Sequence, residues 1–239
     1  PDLVRHEAAS LEKAAQADVL VPELVACDEG GAHCGVPAIL MTRLPGRVEL
    51  LPADLDDWLY KLPEAIAPQH ALDAGEFPWR YAPYNDVSRL EPPVWSKYPE
   101  LWEHAIKIVN APWPEARECF IHRDYHPVNV LWQDGRVSGI VDWPNACRGP
   151  AGIDVAWCRR NLAEMHGVDV AERFLRACRS VIGSSFAHHP CWDLLVLIEH
   201  LPGPPSVFPP WIDFGMQGLT DEVVQKRVDE YLVSVMARV

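Results

Sequence analysis

The chain has 239 residues, 49% of them hydrophobic, which is enough apolar material for a sizeable buried core. Its formal net charge of -13 at pH 7 argues against nucleic acid or an anionic membrane as the main partner. No apolar run approaches the roughly eighteen residues of a membrane span, and no basic segment with a cleavage site opens the chain. We therefore expect a soluble, cytoplasmic protein.

The first part of the chain predicts one helix and a small sheet. Apolar residues at helical spacing from Leu3 predict a helix that ends before residue 21. Two β-rich runs follow at 24–27 and 38–42, and the glycines and aspartate between them predict a hairpin turn. A Leu-Pro-Gly stretch at 44–46 then ends the sheet.

The remainder is predicted to be mostly helical. Periodic apolar positions predict five helices, and prolines and aromatic residues without a steady period predict an irregular segment between the first two. The helices are expected over residues 54–67, 94–110, 170–182, 191–200 and 221–237, and the irregular segment over 69–93. This order predicts an α+β fold with two unequal lobes.

Seven cysteines are present, an odd number with no Cys-x-x-Cys pair. This pattern favours reduced thiols over a disulfide framework or a zinc ribbon. His188 and His189 with Cys191 match no metal-ligand spacing, so a surface turn before a helix is expected there.

Polar residues are concentrated between residues 119 and 143, around a predicted hairpin. The Asp-Gly pair at 134–135 is a strong turn signal. Pairing back from this turn brings Asn129 near Ile140. Three side chains are therefore expected to share one small volume at the mouth of the hairpin, and they are Asp124, Asn129 and Asp142.

These three residue types suit phosphoryl transfer, which depends on positioning and charge neutralisation more than on covalent chemistry. A carboxylate and an amide oxygen are hard ligands of the kind that Mg²⁺ prefers, a role that fits Asn129 and Asp142. A second carboxylate that stays free of metal can orient the attacking hydroxyl and accept its proton. Asp124 fits that role.

The string HRDYHPVN at 122–129, followed by Asp142, resembles the catalytic loop and metal-binding aspartate of the kinase-like superfamily. His126 before proline, and VDW in place of DFG, resemble the aminoglycoside phosphotransferase branch. The resemblance implies a protein-kinase-like fold with a truncated small N-terminal lobe and a mostly helical C-terminal lobe. It also implies Mg²⁺-dependent transfer of phosphate from ATP to a small-molecule hydroxyl.

A second stretch, GPAGIDVAW at 149–157, is similar to the segment in which the family's aspartate braces the catalytic loop. Asp154 takes that position, and an N-cap role for the same residue is an alternative that is compatible with it. His122 is expected to support the loop as a packed, hydrogen-bonded ring and not to shuttle protons. Arg123 departs from the glycine that is most usual in this branch.

On the nucleotide side, AILMTRLPG at 38–46 resembles the family's interlobe hinge. The resemblance places Met41 as guard of the adenine pocket and gives backbone groups of Thr42 to Leu44 to the adenine. Residues 1–45 would then be the remainder of the nucleotide-binding lobe and the hinge. Residues 46–239 would be the helical lobe with the catalytic loop and the acceptor site.

Glu7 lies on the predicted apolar stripe of the first helix, and a buried carboxylate there requires a cationic partner. In the family that partner is a strand lysine which also holds the nucleotide phosphates, and no such lysine or glycine-rich loop precedes Glu7. Either the protein continues upstream, or it begins here and binds nucleotide poorly. The alternative function is therefore a nucleotide-deficient pseudokinase or binding protein of the same fold.

The acceptor is a small molecule whose identity the sequence leaves open. Acidic residues in the expected acceptor region would favour a polyamine sugar, and aromatic residues would suit a macrolide or a choline-like cation. The acidic residues are Asp86, Asp193, Glu199 and Asp213, and the aromatic ones are Trp79, Tyr81, Trp192, Trp211 and Phe214.

Overall fold

The computed structural model describes residues 2–183, 186–201 and 203–239. These residues form small antiparallel sheets and a larger set of helices, in the α+β order predicted. The helices are α1 Asp2–Ala14, α2 Leu55–Ala71, α3 Pro99–Asn110, α4 Gly152–His166, α5 Val168–Ile182, α6 Pro190–Leu197, α7 Pro209–Asp213 and α8 Asp221–Met236. The strands are β1 Leu24–Asp28, β2 Ala38–Met41, β3 Arg47–Val48, β4 Glu118–Ile121, β5 Val130–Gln133, β6 Arg136–Ile140 and β7 Cys147–Pro150.

The predicted N-terminal hairpin is formed by β1 and β2, which pair antiparallel. Asp28 shapes its turn, because the carboxylate accepts hydrogen bonds from the backbone N–H groups of Ala32, His33 and Cys34 at 2.7 to 3.0 Å. These hydrogen bonds hold the pKa of Asp28 below its usual value. Helix α1 packs against β1 and β2.

The second predicted hairpin, β5–β6, has the expected turn. Both residues of the 134–135 turn have positive φ, 50° and 70°, as a type I′ turn requires. The register differs from the prediction by one residue, because Ser138 is an extra, unpaired residue in β6 and makes Val130 the partner of Ile140. Asn129 instead lies opposite Val141, whose N–H donates to the Asn129 carbonyl at 3.0 Å.

Two short sheets hold the loop that joins β4 to β5. Strand β3, which the sequence did not indicate, pairs with β5 on the side away from β6. Strand β4 pairs antiparallel with β7, so Ile121 lies opposite Cys147. The polar segment therefore leaves one sheet and enters another, and both of its ends are fixed.

Helix α4 is the centre of the helical part of the chain. It packs against α5, α6 and α8, and its residues are buried nearly all the way round. The predicted apolar stripe of α8 is confirmed, because its five members are fully buried. They are Val224, Val228, Tyr231, Leu232 and Val235.

Helix α2 begins where predicted but continues past its predicted end at residue 67. Asp54 is the N-cap, and its carboxylate accepts from the N–H of Asp57 at 3.0 Å. Pro68 lies inside the helix. Tertiary contacts stabilise this last turn, because the Gln69 amide donates to Ala14 O at 2.9 Å and His70 contacts α4.

Helix α3 begins at Pro99 and not at residue 94. Val94 is fully exposed, and the chain after it is tied to α8 through Asp229. The Asp229 carboxylate accepts from Ser96 Oγ at 2.5 Å and from the N–H of Lys97 at 3.0 Å. Proline at the first helical position then starts α3, as is common in proteins.

One acidic residue proposed for the acceptor region lies instead in the core. Asp193 is fully buried, and its carboxylate forms an ion pair with Arg159. His188 Nε2 at 3.0 Å, Arg238 Nη2 at 3.1 Å and Tyr231 Oη at 3.0 Å complete its surroundings. Burial alone would raise the pKa of Asp193, but His188 and Arg159 hold it well below its usual value. This carboxylate is therefore a structural group.

The surface turn predicted before α6 is not formed, because residues 186–189 are irregular and the His188 side chain is fully buried against Asp193. His189 caps α6 by accepting from the N–H of Cys191 at 3.1 Å. All seven cysteines are free thiols, and five of them are buried. In the described ranges no group of three His, Cys, Asp or Glu side chains is arranged to hold a metal. Over the same ranges, the helices are too short or too polar to cross a membrane.

Candidate active site

A buried carboxylate of α4 holds the loop between β4 and β5. Asp154 accepts hydrogen bonds from the backbone N–H groups of His122 at 2.9 Å and Arg123 at 2.6 Å. A third bond comes from His70 Nε2 at 2.8 Å. Ala151 stands at the N-cap of α4, so Asp154 does not cap the helix. Its contacts are those of a brace for the loop.

His122 joins the two segments that carry the polar residues. Its ring is fully buried, with Nε2 2.9 Å from Val141 O and Nδ1 3.3 Å from the N–H of Asp124. The amide of Asp124 needs an acceptor, so Nδ1 carries the lone pair and Nε2–H donates to Val141. The ring also packs against Trp143, with centroids 4.4 Å apart. These contacts fix the backbone on either side of Asp142.

Two residues of the site have left-handed backbone conformations. Arg123 has φ 69° and Asp142 has φ 68°, a region that costs an ordinary residue about 1–2 kcal/mol. The positive φ explains why glycine suits position 123. Contacts of the Arg123 side chain offset the cost, because its guanidinium donates to Ala82 O at 2.6 Å and lies 4.0 Å from the Tyr84 ring centroid.

Asn129 is oriented by two acceptors. Its Nδ2 donates to Asp124 O at 3.0 Å and lies 3.3 Å from His126 Nε2. Burial lowers the pKa of His126 to about 4, so the ring is neutral at pH 7 and its Nε2 accepts the amide proton. With Nδ2 engaged in this way, Asn129 Oδ1 is the atom left to bind a cation.

The Asp124 carboxylate lies close to the other acidic groups of the loop region. Burial raises the pKa of Asp142, and the negative charge of Asp124 raises it further. The Asp124 side chain is 24% exposed, and its Oδ1 lies 3.6 Å from His126 Nε2. A bound cation would stabilise the ionised carboxylates, because its positive charge would oppose the rise in the Asp142 pKa that burial and the charge of Asp124 cause.

Glu7 faces the same region from α1. Partial burial raises its pKa, and the charge of Asp142 adds to the rise. Its inward orientation is less complete than the sequence suggested, since Leu3 is 70% exposed and the buried face of α1 is formed by Ala8 and Leu11. Among the residues that the structure describes, no lysine or arginine forms an ion pair with Glu7.

The segment predicted to be the hinge, residues 38–46, lies against the β5–β6 hairpin. Met41 ends β2 and is partly buried, and Leu44 packs on Gly139 of β6. The N–H of Thr42 donates to Glu23 O at 2.9 Å, and Thr42 Oγ1 accepts from the N–H of Glu23 at 2.8 Å. The Thr42 N–H is therefore already engaged, which leaves the backbone groups of residues 43 and 44 for a ligand.

A cavity of about 350 Å³ opens beside Asp124. Asp124 and His126 form one wall, Trp157 and Arg160 of α4 form another, and residues 204–209 cover it. A molecule bound in this cavity reaches the Asp124 carboxylate.

Most of the aromatic residues proposed for acceptor binding lie elsewhere. Trp211 lines the cavity beside Asp124. Tyr81 and Trp192 line a different and smaller cavity. Trp79 stacks on His6, with ring centroids 3.9 Å apart. Of these four side chains, therefore, only Trp211 is placed to contact an acceptor at Asp124.

The sequence interpretation missed the wall that α4 contributes. Its members recur at helical spacing after Asp154, and they are polar or aromatic. That polar stripe is the signal that could have identified them. They are Trp157, Arg160, Asn161 and Glu164.

A buried acid next to this wall gives the protein a pH dependence. Burial raises the pKa of Glu199 to about 7, although the charges of Arg160 and Arg123 limit the rise. Since the pKa in the folded state exceeds the ordinary 4.5, folding favours the protonated form. The resulting stabilisation is complete below about pH 4.5 and is lost as the pH rises through 7.

Glu199→Gln should remove the loss of stability that accompanies the rise in pH through 7. We expect its free energy of unfolding, relative to that of wild type, to be about 2.5 kcal/mol larger at pH 8 than at pH 5. Urea denaturation at the two pH values measures the difference, and Glu12→Gln on the exposed face of α1 is the matched control. An equal pH response in wild type and Glu199→Gln would contradict the assignment.

Comparison with known proteins agrees with this geometry. The family model described as "Phosphotransferase enzyme family" matches residues 1–193. A putative aminoglycoside phosphotransferase from Ralstonia eutropha JMP134 superposes with a TM-score of 0.64 at 15% identity, covering 98% of this chain and 84% of that one. Aminoglycoside phosphotransferase APH(3'')-Id from Streptomyces rimosus, solved with ADP and streptomycin, gives 0.58 at 15% identity, covering 84% and 81%.

A shorter match connects the chain with homoserine kinase from Gluconobacter oxydans, 37% identical over 65 residues. It covers 24% of this chain and 21% of that enzyme, so the chain matches about a fifth of this curated relative.

The chain belongs to the phosphotransferase enzyme family. The predicted enzyme class, a kinase-type phosphotransferase, is that of the family. The predicted fold is confirmed as well, because the likeness to the solved phosphotransferases extends over nearly the whole chain.

Proposed function

We propose that this protein transfers the γ-phosphoryl group of ATP to a hydroxyl group of a small molecule. The observation that carries the proposal is the convergence of Asp124, Asn129 and Asp142 at the mouth of the β5–β6 hairpin, next to a cavity that Asp124 lines. Family membership and the solved phosphotransferases support it.

Asp124 is proposed as the catalytic base. Its carboxylate lines the acceptor cavity and is not engaged by a lysine or arginine among the described residues. In that position it orients the attacking hydroxyl and accepts its proton as the bond to phosphorus forms. His122 and Asp154 hold the loop through its backbone, so they position Asp124 without touching the acceptor.

Asn129 and Asp142 are proposed as the protein ligands of Mg²⁺. They fit the ion for two reasons. Hydrogen bonds engage Nδ2 of Asn129, so Oδ1 is left to bind a cation, and the negative charge of Asp124 lies close enough to Asp142 to raise its pKa. Two protein ligands suffice, since Mg²⁺ usually keeps its other positions for water and phosphate oxygens. When bound, the ion neutralises charge on the transferred phosphate.

The nucleotide is proposed to bind between the hinge and the loop. Met41 and Leu44 offer apolar contacts to the adenine, and the free backbone groups of residues 43 and 44 offer hydrogen bonds. Thr42 has a structural role, because its N–H and Oγ1 form hydrogen bonds with the backbone of Glu23. Glu7 borders the proposed cation site. Once Asp142 serves as a ligand of the ion, the Glu7 carboxylate would require a cationic group of its own.

Two acceptor types are suggested by the relatives, namely aminoglycosides such as streptomycin and the amino acid homoserine. Both present a hydroxyl group, so ATP consumption with each, with macrolides and with choline tests the proposal. The proposal fails if no small hydroxyl compound is phosphorylated.

Asp142→Ala should weaken the binding of Mg²⁺ and ATP together. Without the carboxylate the cation loses a charged ligand, so the Mg²⁺ concentration needed for half-maximal ATP binding should rise tenfold or more, equivalent to about 1.4 kcal/mol. Titration of ATP binding at several Mg²⁺ concentrations measures this shift, with Asp134→Asn at the hairpin turn as control. An unchanged Mg²⁺ dependence would remove Asp142 from the site.

A further inference from the structure

Arg160 is a buried cation with few acceptors. It is 6% exposed, and its guanidinium stacks on Trp157 with the central carbon 4.1 Å from the ring centroid. Nη1 donates to Val196 O at a long 3.4 Å. Nε lies 3.3 Å from a Glu164 oxygen, but its alignment forms no hydrogen bond.

Nε of Arg160 is therefore a buried donor without a hydrogen bond to the residues that the structure describes, and Nη1 has only its long contact with Val196. A guanidinium carries five N–H donors, and buried donors are nearly always satisfied in native proteins. Arg160 lines the same cavity as Asp124, so a molecule bound in that cavity can supply an acceptor to the guanidinium. A planar carboxylate is the group that best matches a guanidinium edge.

The other charges in the wall limit the choice further. Asp124 and Glu164 line the cavity with Arg160, and Glu164 forms an ion pair with Arg160, so two carboxylates and one guanidinium leave this wall with surplus negative charge that disfavours a purely anionic molecule. A molecule with both an ammonium and a carboxylate meets partners of both signs. The apolar cover at 204–209 and a volume of about 350 Å³ suit a compact molecule.

We propose that Arg160 is the carboxylate-binding residue of the acceptor cavity and that the acceptor is a compact hydroxy amino acid. This inference rests on the proposed function only in taking the cavity beside Asp124 as the acceptor site. Arg160 binds the acceptor carboxylate through its guanidinium, and the acceptor hydroxyl lies towards Asp124.

Matched ligand pairs test the inference without nucleotide. Each pair has one carbon skeleton, with the carboxylate of the first member replaced by an uncharged hydroxymethyl group in the second. Both members keep the ammonium, and the second is called the neutral partner because the carboxylate position alone is neutral in it. The pairs are L-homoserine with 2-amino-1,4-butanediol and L-serine with 2-amino-1,3-propanediol. By calorimetry on the whole chain, at least one acid should bind tenfold or more tightly than its neutral partner.

Variants then assign the preference to Arg160. Arg160→Met keeps an unbranched apolar chain over Trp157 and should lower acid affinity at least tenfold while leaving the neutral partner within twofold. Arg160→Lys keeps the positive charge but lacks the planar guanidinium edge that matches a carboxylate, so it should lose part of the preference for the acid. Arg173→Met is the matched control, because Arg173 pairs with the exposed Asp56.

Equal wild-type affinity for the acid and the neutral partner in both pairs would overturn the inference, whether or not the variants fold. Tight binding of streptomycin that survives Arg160→Met, with no binding of the amino acids, would overturn it too and assign the cavity to a polycation. Binding of an acid without phosphate transfer would instead count against the proposed function and leave the carboxylate site intact.

Discussion

Asp124→Ala should reduce turnover by about a thousandfold while the affinity for ATP stays within a few-fold. A positioned general base contributes about 10²- to 10⁴-fold to a rate, and this carboxylate lines the cavity that we propose as the acceptor site, where it would meet the hydroxyl and not the nucleotide. Because only the transition state uses the proton transfer, kcat should fall and the acceptor KM should change little. Steady-state kinetics with the phosphorylated acceptor, and direct ATP binding, measure the two effects.

Asp124→Asn sharpens this experiment, because it keeps the shape of the side chain and removes its basicity. Its turnover should match that of the alanine variant. Asp18→Ala changes an exposed aspartate far along the chain from the loop and serves as the control. Full turnover in Asp124→Asn would show that the carboxylate is not the base.

Asp154→Ala should produce the largest loss of stability among substitutions around the loop. The change leaves the N–H groups of His122 and Arg123 and the His70 ring without their acceptor inside the protein. Removing one member of a buried charged network costs about 3–5 kcal/mol. Turnover should fall as well, since the Asp124 backbone follows directly. Urea denaturation and kinetics report the two losses separately.

Asp169→Ala is the matched control for that variant. Asp169 occupies the first turn of α5 as Asp154 occupies the first turn of α4, but it is exposed. Its loss should cost less than about 1 kcal/mol, the usual contribution of an acidic residue near a helix N-terminus. A cost for Asp154→Ala as small as this would mean that the loop does not depend on its brace.

The chemistry-bearing segment was the easiest part to predict, because its signals are local. An Asp-Gly pair fixes a turn through the backbone angles of two adjacent residues, and the polar residues around it are close in sequence. The one-residue error at Asn129 comes from the extra residue Ser138 in β6. Such a bulge depends on packing across strands, which no local pattern encodes.

Helix boundaries failed where distant contacts decide. Pro68 normally argues for a helix end, yet the next two residues are held by Ala14 and Asp154. The sequence places the start of α3 too early, because contacts of Ser96 and Lys97 with Asp229, far along the chain, hold the segment before the helix. The same limit hid the role of Asp193, whose partners come from three separate helices or turns.

Helix α4 carries the loop brace near its first turn and, one to two turns later, the aromatic and charged wall of the cavity beside Asp124, which we propose as the acceptor site. This one helix therefore sets the distance between the Asp124 carboxylate, the proposed base, and a molecule bound in the cavity. Exchanging side chains at 157, 160 or 164 would retune which alcohol is admitted without moving the chemistry. Divergence in substrate preference within such a scaffold requires no new backbone.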